Sequence, residues 1–467
     1  MKVLLIQPSY RIARETYFWG CNPPLGLAYI AAVLENEDVN VEILDANALN
    51  LTPEQTAEKA NEYDIIGISF LTPAHNFGIK TIRLLPNNIL KVAGGPHASG
   101  YVEEMLKEGF DVVVRGEGEH TMLELVNEKN LKKIKGISYW RNGKIVHNES
   151  RPPEDINKLP FPARHLLPSN GINTPYLSAA TQYTPWTPFV ISRGCPFTCY
   201  FCNKKVFGQK LRYRSPENVV KELVYLKKEY KIKEIDIIDD SFNTNLDNAN
   251  QILDAIIDMN LKLCIRFPNG MRVDNINEAF LDKLKKAGTE YIAYGIESGD
   301  QSVLDKIPKM VTIKQIKTAV KLTRKKGITT TGFIMFGLMG DTKESMQRTI
   351  DIAKELPLDY ISFSITTPYP GTKLWDIVEN EGKFLIKNSD GKIDWDRFHH
   401  TSSKMTFTHP HVASPEVVEE MYQKAYKEFY YRPTYILRKL LSIRSFSEFK
   451  ALMRGAMALF KIKKATK

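Results

Sequence analysis

The sequence predicts an α/β protein in three parts: a doubly wound, Rossmann-like domain over residues 1–145, a partial (β/α)6 barrel over 186–372, and a helical region over 373–467. Two observations carry this. Strands rich in Val and Ile alternate with helical stretches in two separate runs, a pattern that implies parallel sheets covered on both faces. A proline-rich stretch, "RPPEDINKLPFPARHLLPSN", parts the two runs. Its prolines remove backbone donors and hold the chain extended, so residues 146–185 read as a linker. The chain's 467 residues exceed one ordinary core, since domains average roughly 150 residues.

In the first run the strands are "KVLLIQP", "VNVEILDA", "DIIGISF", "NILKVAGG" and "DVVVRGEGE", with helices such as "LGLAYIAAVLE" between them. The second run begins at "PFVISRGC" and continues through "EIDIIDD", "LKLCIRFP", "YIAYGIES", "TTTGFIMFG" and "YISFSIT". About six such units make a partial barrel, with its chemistry at the carboxyl ends of the strands.

Five cysteines, of which Cys21 and Cys264 are isolated, do not form the even framework of a small secreted scaffold and point to a reducing, cytoplasmic setting. Cys21 and Cys264 are expected to be small buried hydrophobes. The opening "MKVLLIQPSY" reads as a buried strand rather than a signal peptide, and no run of about 18 apolar residues offers a membrane span.

Cys195, Cys199 and Cys202 are the chemical focus: three of the five thiols fall within eight positions. The spacing would suit an apolar helical stripe. Gly194 and Pro196 argue instead for a loop after a strand. Zinc would want a fourth nitrogen or sulfur ligand, and the nearest histidine, His165, is not at a usual zinc spacing. Three thiolates suit a four-iron cube with one iron left open for an exogenous group.

The CxxxCxxC loop after a barrel strand, with Phe201 before the third cysteine, resembles the radical S-adenosylmethionine (SAM) superfamily. The similarity continues through "YRSPENVVKEL", "IDDSFNTN", "PNGMRVD", "YGIESGDQSVLDKI", "GFIMFGLMGDTKES" and "PYPGT". The resemblance implies a 4Fe-4S cluster on the three cysteines, SAM on the open iron, a 5′-deoxyadenosyl radical that abstracts hydrogen, and a low-potential electron donor of the ferredoxin or flavodoxin type. The cofactor carries the hard chemistry and the protein positions it. By the same resemblance Phe201 contacts adenine, Glu297 holds polar groups of SAM, Asp239 and Asp240 stand near its amino group, and Arg272 neutralises its carboxylate. For Asp240 the competing reading is a helix N-cap, and for Arg272 a surface ion pair. "GLMGDT" departs from the usual motif at Met339 and Asp341.

In the first domain, "SFL" (Ser69, Leu71) ends one strand and "GG" (Gly94, Gly95) ends the next. Ligands of parallel sheets bind at such ends, and paired glycines admit a bulky group close to the backbone. With "NPPLGLAYIAAVLE" and "GGPHASG", this resembles the cobalamin-binding domain fused to radical SAM barrels, which implies that Ser69, Leu71, Gly94 and Gly95 flank cobalamin. Taken without the barrel, the glycines would be a generic tight turn. The Asp-x-His-x-x-Gly loop that ligates cobalt in many cobalamin proteins is absent, so no histidine from the loop after the first strand can reach the metal. His97 either touches the corrin or is a satisfied loop histidine.

The net charge of +10 is concentrated: residues 432–467 hold ten Lys or Arg against Glu448 alone. "SEFKALMRGAMALFK" puts Phe449, Leu452, Met453, Ala456, Leu459 and Phe460 on one helical face and Lys450, Arg454 and Lys461 on the other. Such a helix either lies on an anionic membrane surface or docks its apolar face on the barrel. Nucleic acid is not expected, because the transfer-RNA-modifying relatives carry other domains. The resemblance implies methylation of an unactivated carbon in a lipid, isoprenoid or secondary metabolite. The alternatives are ring formation or oxidation, as in the anaerobic magnesium-protoporphyrin cyclases, and a cobalamin or redox sensor without catalysis.

Overall fold

The computed structural model describes residues 1–10, 21–172, 175–176, 181–389, 391–399 and 402–441. The first sheet has seven strands. β1 (Lys2–Gln7), β2 (Asn40–Asp45), β3 (Ile65–Ser69), β4 (Leu90–Gly94) and β5 (Val112–Val114) run parallel in the order β2-β1-β3-β4-β5. Val3 and Ile6 are fully buried, as strands covered on both faces require. The order reverses between β1 and β3, which opens a crevice at their carboxyl ends.

The sequence reading did not assign the antiparallel hairpin β6 (Ile137–Arg141) and β7 (Lys144–His147), which extends the sheet beyond β5. Its turn is Asn142-Gly143, both with positive φ, a strong hairpin signal. The boundary drawn at 145 therefore falls inside β7.

The second sheet contains all six expected strands, parallel throughout: β8 (Trp186–Phe189), β11 (Glu234–Ile237), β12 (Cys264–Met271), β13 (Thr289–Glu297), β14 (Thr329–Phe336) and β15 (Tyr360–Ile365). Two short strands, β9 (Ser192–Arg193) and β10 (Arg212–Tyr213), pair antiparallel just beyond β8. The intervening helices follow from pattern and caps. Helix Pro216–Glu229 has Pro at its first position, an N-cap Ser215 that accepts from Asn218 N, and a buried stripe of Val219, Leu223 and Leu226.

Residues 146–185 are more than a tether. Arg164 is buried and bonds the buried Glu222, Thr187 Oγ1 and the Pro188 carbonyl. Trp186 of β8 packs in the same apolar cluster as Leu27, Ala28 and Val112 of the first domain. The two sheets thus share core.

After the barrel, helix Pro415–Tyr430 buries Val418, Met421, Tyr422, Ala425 and Phe429. Its Tyr430 hydroxyl accepts from Ile361 N at 3.0 Å and donates to Ile361 O at 2.6 Å, covering the open edge at β15. The apolar and basic faces read between Phe449 and Lys461 lie outside the described residues. Among the described residues no helix is long and apolar enough to cross a membrane.

Candidate cofactor sites at the junction of the two sheets

The cysteines occupy the loop that β9 and β10 close. Gly194 turns into it with φ +86°, and a Cβ there would stand 2.4 Å from the Lys210 carbonyl oxygen. Asp239 and Asp240, just past β11, hold the entrance. Asp239 accepts from Ile191 N at 2.8 Å and Ser192 Oγ at 2.7 Å, and Asp240 accepts from Gly194 N at 3.0 Å. Burial pushes the Asp239 carboxyl up to about 7. Burial also raises Asp240, against the Gly194 hydrogen bond. The N-cap reading of Asp240 does not hold, because Asn245 caps the following helix, Leu246–Met259.

Cys195 and Cys199 are half-buried and Cys202 is open to solvent on one side. Protein atoms crowd Cys202 elsewhere, and with the nearby Cys199 thiol they push its pKa up to about 12. Burial likewise raises Cys199. The three thiols are close enough to influence one another's ionisation. Yet among the described residues no three His, Cys, Asp or Glu converge as around a single ion. Three thiols on one loop, near enough to affect one another, fit the ligand set of an iron-sulfur cluster. Cys264 is buried in β12, as expected, whereas Cys21 is only half-buried and accepts from Asn47 Nδ2 at 3.2 Å.

Around the loop, Phe201 is half-buried and meets Tyr200 edge-on at 5.4 Å. The buried Tyr200 hydroxyl accepts from Met339 N at 2.9 Å, fixing the "GLMGDT" loop. Asp341 of that loop accepts from Leu338 N at 2.9 Å and Ser345 Oγ at 2.8 Å. Arg272 is no surface ion pair: it is largely buried, bidentate on Asp274 at 2.9 and 2.7 Å, and its guanidinium lies 3.4 Å from the centre of the Phe197 ring within the cysteine loop. Glu297 ends β13 with φ +62° and is paired with Lys309, which also donates to the Gly295 carbonyl at 2.5 Å. A left-handed backbone at a non-glycine strand end is strain of the kind that collects at functional sites. Sequence reading missed Lys309, whose one signal was its place twelve residues after Glu297.

It also missed what fastens this loop to the first domain. Arg193 and Arg212 flank the cysteines, and both reach "GEGE" beyond β5. Glu117 Oε2 accepts from Arg193 at 3.0 Å and Arg212 at 3.1 Å, Glu117 Oε1 is bonded to Arg212, and Glu119 accepts from Arg193 at 2.7 Å. All four side chains are less than a tenth exposed. Asn203, next to Cys202, donates to the carbonyls of Pro96 (3.1 Å) and Pro370 (2.9 Å). Gly100 and Gly371 press together so closely that a Cβ on Gly100 would stand 2.2 Å from Pro370 O.

At the carboxyl ends of β3 and β4, Gly95 has φ +87°, and a Cβ there would meet Phe70 N and Ser69 Oγ at 2.9 Å. Leu71 is exposed beside them, and Gly94 is extended. Gly95 thus makes room for the end of β3, whereas a Cβ on Gly94 would meet nothing nearer than 3.9 Å, which leaves a bare backbone shelf there for the close approach of a large ligand. His97 is buried, with ring nitrogens 3.0 Å from His75 Nδ1 and 3.2 Å from Thr72 Oγ1, against Trp395. It is the satisfied histidine rather than a corrin contact, and burial holds it well below the usual histidine range.

Comparison with known proteins agrees with this division. A model of the B12 binding domain matches residues 17–126, and one of the radical SAM superfamily matches 189–353. An uncharacterized methyltransferase of Pyrococcus horikoshii is 33% identical over 98% of this chain and 99% of its own. The anaerobic magnesium-protoporphyrin IX monomethyl ester cyclase of Rubrivivax gelatinosus is 30% identical, covering 80% of this chain and 69% of its own. Among solved structures, the radical SAM methyltransferase TsrM of Kitasatospora setae, with cobalamin and a [4Fe-4S] cluster bound, superposes with TM-score 0.71 over the whole of both chains at 16% identity.

Proposed function

Because this chain belongs to the cobalamin-dependent radical SAM enzymes, we propose that it methylates an unactivated carbon of a lipid or isoprenoid. The observation that carries this is the buried Glu117–Arg193–Arg212 lock, which fixes the thiol loop against the sheet that bears the Ser69–Gly95 shelf. In bound form the cluster with SAM supplies a hydrogen-abstracting radical, and cobalamin supplies the methyl group.

The chain's own residues hold and shield these groups. Cys195, Cys199 and Cys202 are the iron ligands in this reading, and Phe201 lies against adenine. Glu297, paired with the Lys309 ammonium, accepts hydrogen bonds from SAM. Asp240 and Arg272 complete the SAM surroundings, Asp240 at the Gly194 turn and Arg272 beside Phe197. Asp239, with both oxygens engaged by Ile191 and Ser192, acts by positioning the loop. Ser69, Leu71, Gly94 and Gly95 border the cobalamin.

The C-terminal segment would rest on an anionic membrane surface. Helix Pro433–Leu441 leads to the basic tail with Leu437 and Leu441 exposed by 59% and 78%. A low-potential ferredoxin- or flavodoxin-type donor would supply the electron.

The test is incubation of anaerobically reconstituted enzyme with methyl-labelled SAM, reductant and lipid extract. Label in a lipid product one CH₂ heavier is expected. A product of changed mass without label would favour ring formation or oxidation, the reading supported by the cyclase relative. An intact cluster with no 5′-deoxyadenosine would favour a sensor.

A further inference from the structure

Beyond the "GLMGDT" loop lies a cavity of about 940 Å³, between the mouth of the barrel and the C-terminal region. That is the size of a small-molecule site. One wall belongs to the cysteine loop, through Tyr200, so the cavity borders the proposed reaction centre. Its apolar lining includes Met339, Ile377, Val412 and Val417.

Three lysines and one carboxyl, Asp341, are among the lining residues. Lys306, Lys343 and Lys373 stand around the cavity. Lys343 is neutralised by Glu420 at 3.2 Å. The ammonium groups of Lys306 and Lys373 form no ion pair or hydrogen bond among the described residues. Lys306 lies across Gly340, where a Cβ would stand 2.1 Å from its Nζ, so the glycine leaves room for the lysine. The lining carboxyl, Asp341, is buried and turned inward onto Leu338 N and Ser345 Oγ.

Backbone dipoles add to this. Helices Lys343–Glu355, Lys373–Glu381 and Pro415–Tyr430 all start at the cavity, at Thr342–Lys343, Lys373 and Ser414. Their positive ends converge there. The acids of their first turns, Glu344, Asp376 and Glu416, are exposed and do not line it.

From this unpaired positive charge beside apolar walls we infer that the cavity binds an amphiphile with an apolar body and an anionic head, phosphate or carboxylate, held by Lys306 and Lys373. This narrows the lipid substrate proposed above and rests on that reading. Recognition is by head and body together.

The test is calorimetric titration of the reconstituted full chain with dodecyl phosphate and dodecanoate, kept below their micelle concentrations, and with dodecanol and inorganic phosphate. At least one of the two anionic amphiphiles is expected to bind about tenfold or more tightly than dodecanol or inorganic phosphate. The Lys306→Gln/Lys373→Gln variant is expected to lose about tenfold in that affinity, with iron and sulfide content unchanged. Both lysines are exposed, so the fold does not depend on them. Val412→Trp, which fills the apolar wall, is expected to weaken the same ligand while both lysines remain. Equal binding of dodecanol, equal binding of inorganic phosphate, or parental affinity in either variant overturns the inference. Loss of the cluster with amphiphile binding retained would instead count against the cofactor reading.

Discussion

The carboxyl ends of the two parallel sheets meet at one junction but are built from opposite materials. At the barrel end, β8, β11 and β13 lead to thiols, a buried carboxylate network and the Glu297–Lys309 pair. At the first-domain end, β3 and β4 lead to a shelf of backbone, where Gly95 packs against the end of β3 and Gly94 leaves open space beside it. A small reactive group needs oriented charge around it, whereas a large rigid cofactor needs side chains out of its way. The bond between the two ends is itself ionic and dry.

Three substitutions sharpen this contrast. Glu117→Ala leaves the buried Arg212 without its carboxylate and Arg193 with Glu119 alone, the breaking of a buried ion pair that costs about 3–5 kcal/mol. A large fall in the unfolding midpoint and poor cluster incorporation are expected by denaturant titration and iron analysis. If stability is unchanged, the lock is not what joins the domains. Gly95→Ala forces a Cβ into a left-handed position at about 1–2 kcal/mol and against Ser69 Oγ. It should lower cobalamin content on reconstitution while iron stays at the parental level. A parallel loss of iron would erase the distinction between the two ends.

The smallest effect belongs to Asp239→Asn. Burial raises this carboxyl to about 7, so the folded chain favours its protonated form. That contribution to stability is full below about pH 4, the unfolded value, and is lost as pH rises through 7. An amide can still accept from Ile191 N and meet Ser192 Oγ. The variant should therefore gain on the parent in unfolding midpoint as pH rises from 5 to 8. A constant difference would mean that Asp239 is ionised throughout.

Most of the fold was legible because βα alternation and local motifs are properties of contiguous sequence. All six barrel strands and the thiol loop follow from them. The β6–β7 hairpin was legible too, in Asn142-Gly143, but its short strands were passed over. What could not be read is pairing across distance. Nothing local marks Glu117 as the partner of Arg193, Lys309 as that of Glu297, or Arg164 as that of Glu222. Asp239 and Asp240 were expected near the SAM amino group, and the hydrogen bonds that tie them to Ile191, Ser192 and Gly194 are revealed only by the folded chain.

The most direct test is iron and sulfide analysis with visible spectroscopy on the anaerobically reconstituted chain and its Cys199→Ala variant. The account predicts about four iron and four sulfide per chain with a broad brown absorbance in the parent, and neither in the variant. A colourless parent, or a variant that keeps the chromophore unchanged, would contradict it.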